Sequence, residues 1–327
     1  MKQAPSISFL IPVFNTEKFV IECLNSLLPQ IYATDEVIIL DDCSTDNSLM
    51  VIQDYIKHQA HKNIKVFSNY QNQGISLVRN GLICKASKDF IWFVDSDDIV
   101  VESALLNVKE CLSNNKIDIL CCNYFNWTEN NALEEKKGLG KAFVRFNNKP
   151  YPLKWILMKS DDNYLWNKIC RRELLQEVVL EIQHRKYFED IEILTSIACL
   201  NPVFNYLNYP VIKYRQNPTS LVKHRTLESF FNYFEVYLNR YNIWSQNSND
   251  THLQGYFSLK ILSRYISMTQ EMIENQELQE LRKILDNFDD RYRLIYNDSQ
   301  KNLNFIRALK LRIKWNKLHN KLDSLFG

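Results

Sequence analysis

Three carboxylates fall within four residues at Asp95-Ser96-Asp97-Asp98, directly after the apolar run Phe90–Val94. Charges this close repel one another, and a bound cation relieves them. Magnesium and manganese prefer oxygen ligands and often share them with substrate phosphates. The same residues also suit an acidic turn that caps a helix, since helix starts favour Asp and Ser. A second group, Asp41-Asp42-Cys43-Ser44-Thr45-Asp46, follows Glu36–Leu40. An aspartate there could accept a hydrogen bond from a nucleobase or ribose, or Ser44 or Asp46 could simply cap the next helix. A third, Asn72-Gln73-Gly74 with Arg79-Asn80, could set a planar cation beside a base or diphosphate, or put an arginine on a solvated helix face.

These groups need elements to hold them. Short apolar runs at Ile7–Val13, Glu36–Leu40, Ile64–Phe67 and Phe90–Val94 read as buried strands. Segments with helical spacing lie between them, at Lys18–Leu28, Ser48–His58 and Ser76–Ala86. Such alternation predicts βαβ units and a mostly parallel sheet. Polar loops then collect where the strands end: Asn15-Thr16-Glu17, Asp41–Asp46, Asn69–Gly74 and Asp95–Asp98. Ligands of open α/β sheets bind at that edge, and four polar loops in register on it point to a ligand site. Beyond residue 104, Ile117–Phe125, Trp166–Cys170 and Pro210–Tyr214 read as strands. Asn126–Gly140 reads as an exposed loop, and Tyr187–Cys199 as a helix opening on Glu189-Asp190. After Thr226 the texture is helical.

Composition narrows the class. The balance of 40 basic and 38 acidic residues leaves a net charge of +2, which gives no global attraction to nucleic acid. Six glycines in 327 residues argue against a multi-glycine phosphate loop. None of the eight cysteines is spaced C-x-x-C, and most lie in apolar runs, so neither a zinc site nor a disulfide scaffold is expected. A reducing, cytoplasmic setting follows. The run Ile7–Ile11 is too short for a signal-peptide core, and no stretch of about 18 apolar residues is present to span a membrane.

The motifs Ile11-Pro12-Val13-Phe14-Asn15-x-Glu17, Asp41–Asp46, Asn72-x-Gly74-x4-Arg79-Asn80 and Asp95-Ser96-Asp97-Asp98 together resemble family 2 glycosyltransferases with a GT-A fold. The likeness is close over about the first 110 residues. It continues more loosely through Trp166-Asn167-Lys168-Ile169-Cys170-Arg171-Arg172 and Phe188-Glu189-Asp190. The resemblance implies an α/β fold with a Rossmann-like, mostly parallel sheet flanked by helices. It implies that Pro12, Phe14, Asn15 and Glu17 line the nucleotide pocket, that Asp42 binds uracil, and that Asn72, Gly74 and Arg79 approach the base or diphosphate. Asp95, Ser96 and Lys168 would face the donor, Asp97 would ligate manganese or magnesium, and Asp190 would be the catalytic base. His224 would complete the metal shell, with Lys223 and Arg225 on the diphosphate in a loop, from Tyr214 on, that closes over the donor. Asp98 reads as the cap of the next helix. Two departures are Cys43 where glycine is usual, which strains the backbone if that position needs a positive φ, and Phe14 where tyrosine is common.

An inverting transfer from a UDP-sugar to a glycan or lipid-linked acceptor is the activity so implied, in bacterial capsule or lipooligosaccharide synthesis. The alternative is a nucleotide-sugar-binding subunit that has lost catalysis. Trp127, Trp155 and Trp166 could stack on sugars, although such aromatics usually belong to the core. Three parts are expected: a donor half over 1–105, an acceptor half over 106–225 and a helical extension over 226–327. Ser299–Leu322 reads as one basic amphipathic helix. It suits an anionic inner leaflet, a contact between copies of the chain, or an ordinary solvated helix end.

Overall fold

The computed structural model describes residues 4–59, 63–114, 116–127, 132–138, 162–179, 188–216, 226–247, 251–303 and 305–326. The chain forms two compact units, Met1–Lys223 and His224–Gly327. The two halves expected within the first unit share one sheet.

Among the described residues that sheet has nine strands: β1 (Ile7–Val13), β2 (Glu36–Asp41), β3 (Ile64–Ser68), β4 (Phe90–Phe93), β5 (Ile99–Val100), β6 (Ile119–Trp127), β7 (Leu133–Lys136), β8 (Lys168–Arg171) and β9 (Phe204–Arg215). They run in the order β3-β2-β1-β4-β8-β6-β9-β5, with β7 paired to β6. The first four are parallel. β8 then enters antiparallel between β4 and β6, and β6 and β9 are parallel.

Strand periodicity sorts the core into two layers. On one face Ile7, Phe9, Ile11, Val13, Val37 and Ile39 meet α1 (Val20–Leu27), α2 (Ser48–Lys57) and α4 (Ala104–Asn114). On the other, Leu10, Ile38, Leu40 and Phe93 meet α3 (Ile75–Lys85), α5 (Arg172–Val179) and α6 (Glu189–Cys199). The helices change face where the chain turns back from β3 to β4. The crevice between β1 and β4 is therefore the switch point at which α/β sheets bind ligands.

Pro12 helps open that crevice. Leu10 accepts the Val94 N–H from the β4 side at 3.0 Å, whereas Val13 accepts the Asp42 N–H from the β2 side at 2.8 Å. Backbone groups alternate sides along a strand, so residue 12 faces β4. Proline has no N–H to extend the ladder there, and β1 and β4 part beyond Leu10.

The second unit contains α7 (Leu227–Asn247), α8 (Thr251–Glu274), α9 (Leu278–Asn302) and α10 (Phe305–Phe326) around buried Phe234, Tyr265, Tyr292 and Trp315. Two expectations are corrected. The segment expected as the loop Asn126–Gly140 carries β7, which pairs Leu133–Lys136 with Tyr124–Trp127. The basic segment from Ser299 is not one helix: residues 299–302 close α9, and α10 begins at Phe305. Among the described residues, no helix is long and apolar enough to cross a membrane.

Candidate active site

The loops after β1 and β2 are tied to each other. Asn15 turns into the left-handed region, φ 54°, which asparagine tolerates. Its Oδ1 accepts the Thr45 N–H at 2.8 Å, and Glu17 Oε2 accepts the Asn47 N–H at 2.8 Å. Cys43 has φ 58°, so the cysteine does occupy a strained position that glycine would relieve.

Asp42 is buried and fixes the loop after β3. Its carboxylate accepts the Gln73 N–H at 2.9 Å, the Gly74 N–H at 2.8 Å and Asn69 Nδ2 at 2.8 Å. Asn72 donates to the Asp42 carbonyl at 3.3 Å. Gly74 has φ 84° and starts α3. The expected uracil ligand thus shapes the pocket wall through an internal network. Pro12 is buried in β1 at the crevice, and Phe14 lies 44% exposed beyond it.

Arg79 is the centre of the site. It is buried at 5% exposure, with its guanidinium beneath the loop after β4. Nη2 donates to Asp95 Oδ1 at 3.1 Å, while Nη1 donates to both Glu189 Oε1 and Asp190 Oδ1. The Phe93 ring lies 5.6 Å from the guanidinium carbon. One cation therefore joins the donor loop to the start of α6. Phe188, at φ 66°, turns the chain so that Glu189 and Asp190 open that helix. The second oxygen of Asp190 accepts the Leu165 N–H at 3.2 Å.

Burial opposes the charge on Arg79, but Asp190, Glu189 and Asp95 outweigh it and hold the guanidinium protonated. Three carboxylates around one cation cannot all ionise cheaply. Burial pushes the Glu189 carboxyl well above its ordinary range against the pull of Arg79, and the charge of neighbouring Asp190 adds to the rise. Burial also raises Asp95, against the pull of Arg79.

Asp97 and Asp98 extend the negative site. Burial, then the charge of Asp95, push Asp97 up to about 6. Asp98 is fully buried and raised further by burial and by Asp97. Its Oδ1 accepts the Arg215 N–H at 2.8 Å, and the residue leads into β5, so it does not cap a helix. Arg215 donates from Nε to the Asp97 carbonyl at 2.8 Å and from Nη2 to Glu22 at 2.6 Å, and it lies 4.1 Å from the Trp127 ring centre. Residues 214 and 215 close β9, and Arg215 braces the acidic turn, instead of beginning a closing loop. Lys223, His224 and Arg225 lie outside the described residues, as does Trp155.

Lys168 is held inside the fold. Its side chain is fully buried. Nζ donates to the Tyr164 carbonyl at 2.6 Å and Asn167 Oδ1 at 2.8 Å, and pairs with Asp162 at 3.3 Å. Through these contacts it holds the 162–168 turn together. Trp166 is core: it stacks on Tyr164 and Tyr214 at 4.9 and 5.1 Å. Ser96 is buried within the acidic turn.

Buried polar atoms normally have partners. Among the described residues of the first unit, those without one are Thr16 Oγ1, Asp41 Oδ1, Arg79 Nε, Asn80 Oδ1 and Asp98 Oδ2. They lie on the end of β2, the loops after β1 and β4, and α3, all at this one sheet edge, and are open to polar ligand groups. No group of three or more metal-binding side chains forms among the described residues. The donor set is nonetheless all carboxylate oxygen. It fits a hard cation held by one or two aspartates together with substrate phosphates.

Residues 8–179, more than half of the chain, match the model of glycosyl transferase family 2. The chain belongs to that family. The glycosyltransferase EpsJ of Bacillus subtilis is 29% identical over 227 residues, which cover 67% of this chain and 63% of EpsJ. The poly(ribitol-phosphate) beta-N-acetylglucosaminyltransferase TarS of Staphylococcus aureus is 34% identical over 116 residues, 35% of this chain and 20% of TarS. The chain thus spans less than two-thirds of either relative. The crystal structure of the 1–349 segment of S. aureus TarS with UDP-GlcNAc superposes with a TM-score of 0.71 at 21% identity, covering 94% of this chain and 88% of that one. The fold is therefore GT-A, with C-terminal helices added. Sequence reasoning missed two features of the site, the meeting of Glu189 with Arg79 and the brace from Arg215. The signal for the first was an Arg on a helix and an acid pair more than a hundred residues apart, which only the fold unites.

Proposed function

We propose that the chain is an inverting glycosyltransferase that moves a hexosyl or N-acetylhexosaminyl group from a nucleotide sugar, with UDP as the nucleotide, to a hydroxyl of a glycan or lipid-linked acceptor. The observation that carries this reading is the meeting of Asp95 and Asp190 on one guanidinium. It sets a carboxylate from α6 against the loop where family members hold the donor. That TarS acts on a poly(ribitol-phosphate), forms a beta linkage and binds UDP-GlcNAc supports the nucleotide, the stereochemistry and a bacterial surface polysaccharide as the product.

Asp190 takes the proton of the acceptor hydroxyl as that oxygen attacks the anomeric carbon. Arg79 and the Leu165 N–H fix its two oxygens and so its direction. Attack from the face opposite the diphosphate inverts the anomeric centre, turning an α-linked donor into a β-linked product. Asp97 would hold magnesium or manganese, which when bound stabilises negative charge on the departing diphosphate. Asp42, through the Gln73 and Gly74 amides, keeps the nucleotide wall in shape.

The test is Asp190→Asn, assayed with a panel of nucleotide sugars and manganese. UDP-sugar binding by calorimetry should persist while transfer falls by about 10²–10⁴-fold. Undiminished transfer in the variant overturns the assignment.

A further inference from the structure

Helix α10 uses its apolar side inside its own unit. Leu311, Trp315, Leu318 and Leu322 are buried. Trp315 stacks on Tyr296 at 4.5 Å, and His319 Nε2 meets Asp289 at 3.2 Å. These four residues are therefore not available to a membrane or to another copy of the chain.

The outer side is different. Lys310, Lys314, Lys317 and Lys321 recur at i, i+4, i+7 and i+11, which places them in one stripe, and all four are exposed. None forms an ion pair among the described residues, and the first acid of the helix is Asp323. Like charges at i, i+4 destabilise a helix, so this stripe lacks its counter-charge. Leu309 and Ile313, 43% and 60% exposed, run along its border.

Beside the stripe is a cleft of about 350 Å³ between α8 and α10, lined by Ser263, Ile266, Ser267, Gln270, Lys314 and Lys317. Two lysines, two serines and a glutamine line it beside the apolar Ile266. That set suits phosphate oxygens carried on an apolar tail. A two-fold contact between copies of the chain would set the lysine stripe against itself. Nucleic acid would have no use for the bordering leucine and isoleucine.

We propose that this face of α10 docks on an anionic phospholipid surface, with one headgroup phosphate seated in the cleft. The inference is independent of the donor-site reading.

The full chain should cosediment with phosphatidylcholine vesicles that contain about one-third phosphatidylglycerol, and not with phosphatidylcholine alone. Lys314→Gln with Lys317→Gln should weaken that binding about 30-fold. Ile313→Ser should weaken it as well, with the circular dichroism of all variants unchanged. Equal binding to neutral and anionic vesicles, no binding to either, or full binding by the lysine variant overturns the proposal. Saturable binding of inorganic phosphate without vesicle binding assigns the cleft to a free anion and overturns it too.

Discussion

Replacing Asp97 by asparagine should stabilise the metal-free protein while removing its response to divalent cations. Burial, and then the charge of Asp95, raise the Asp97 carboxyl from 3.8 to about 6. That gap corresponds to about 3 kcal/mol, the cost to the fold of ionised Asp97 above pH 6. Asp97 is partly open to solvent, which screens its neighbour, so about half, ~1.5 kcal/mol, is the working figure. Stability contributed by protonated Asp97 is complete below pH 3.8 and is lost as pH rises through about 6. Asparagine does not titrate, so the variant's advantage should emerge over that window and reach about 3–6 °C in Tm at pH 7.5 for a unit of this size. Manganese should raise the Tm of the wild type and leave the variant unmoved. Melts followed by circular dichroism from pH 5 to pH 8, with and without manganese, measure both effects. A variant that melts below the wild type at pH 7.5, or one that gains as much from manganese, refutes the reasoning.

Arg79→Ala should cost about 3–5 kcal/mol in urea unfolding, because it leaves buried Glu189 and two aspartates without their cation; a neutral result removes Arg79 from the centre of the site. Cys43→Gly should stabilise by about 0.5 kcal/mol, since relief of about 1–2 kcal/mol of left-handed strain exceeds the added chain entropy of glycine. A lower unfolding midpoint would contradict that. Lys168→Met should destabilise by about 3 kcal/mol by removing the cation that pairs with buried Asp162. If it instead raises the donor KM at unchanged stability, Lys168 faces the donor after all.

The four parallel strands and their polar ends were legible because each strand is a short apolar run and each loop breaks it with Asn, Asp or Gly. Their helices matched to within a residue or two for the same reason. The acceptor half was harder to read. β9 begins at Phe204, six residues before the expected Pro210, because Asn205 and Asn208 interrupt its apolar texture. Charged residues misled most. Lys168 and Arg79 look alike in sequence as cations near a site, yet each is buried and ion-paired with carboxylates that only tertiary structure brings to it. Asp35 shows the same blindness: it is fully buried, pairs with Lys109 at 2.7 Å and accepts the Ile7 N–H at 2.9 Å, although nothing local marks it.

The position of β8 matters before the protein is finished. β4 is closed on one side by β1, made early, and on the other by β8, which begins at Lys168, far beyond the end of β4 at Phe93. At synthesis rates of about 5–20 residues per second, the edge of Phe90-Ile91-Trp92-Phe93 stays unpaired on the nascent chain for about 4–15 s. Four apolar residues on an open edge form a template for pairing with another chain. The hazard of misassembly therefore peaks at the ribosome and ends when β8 slots in beside β4.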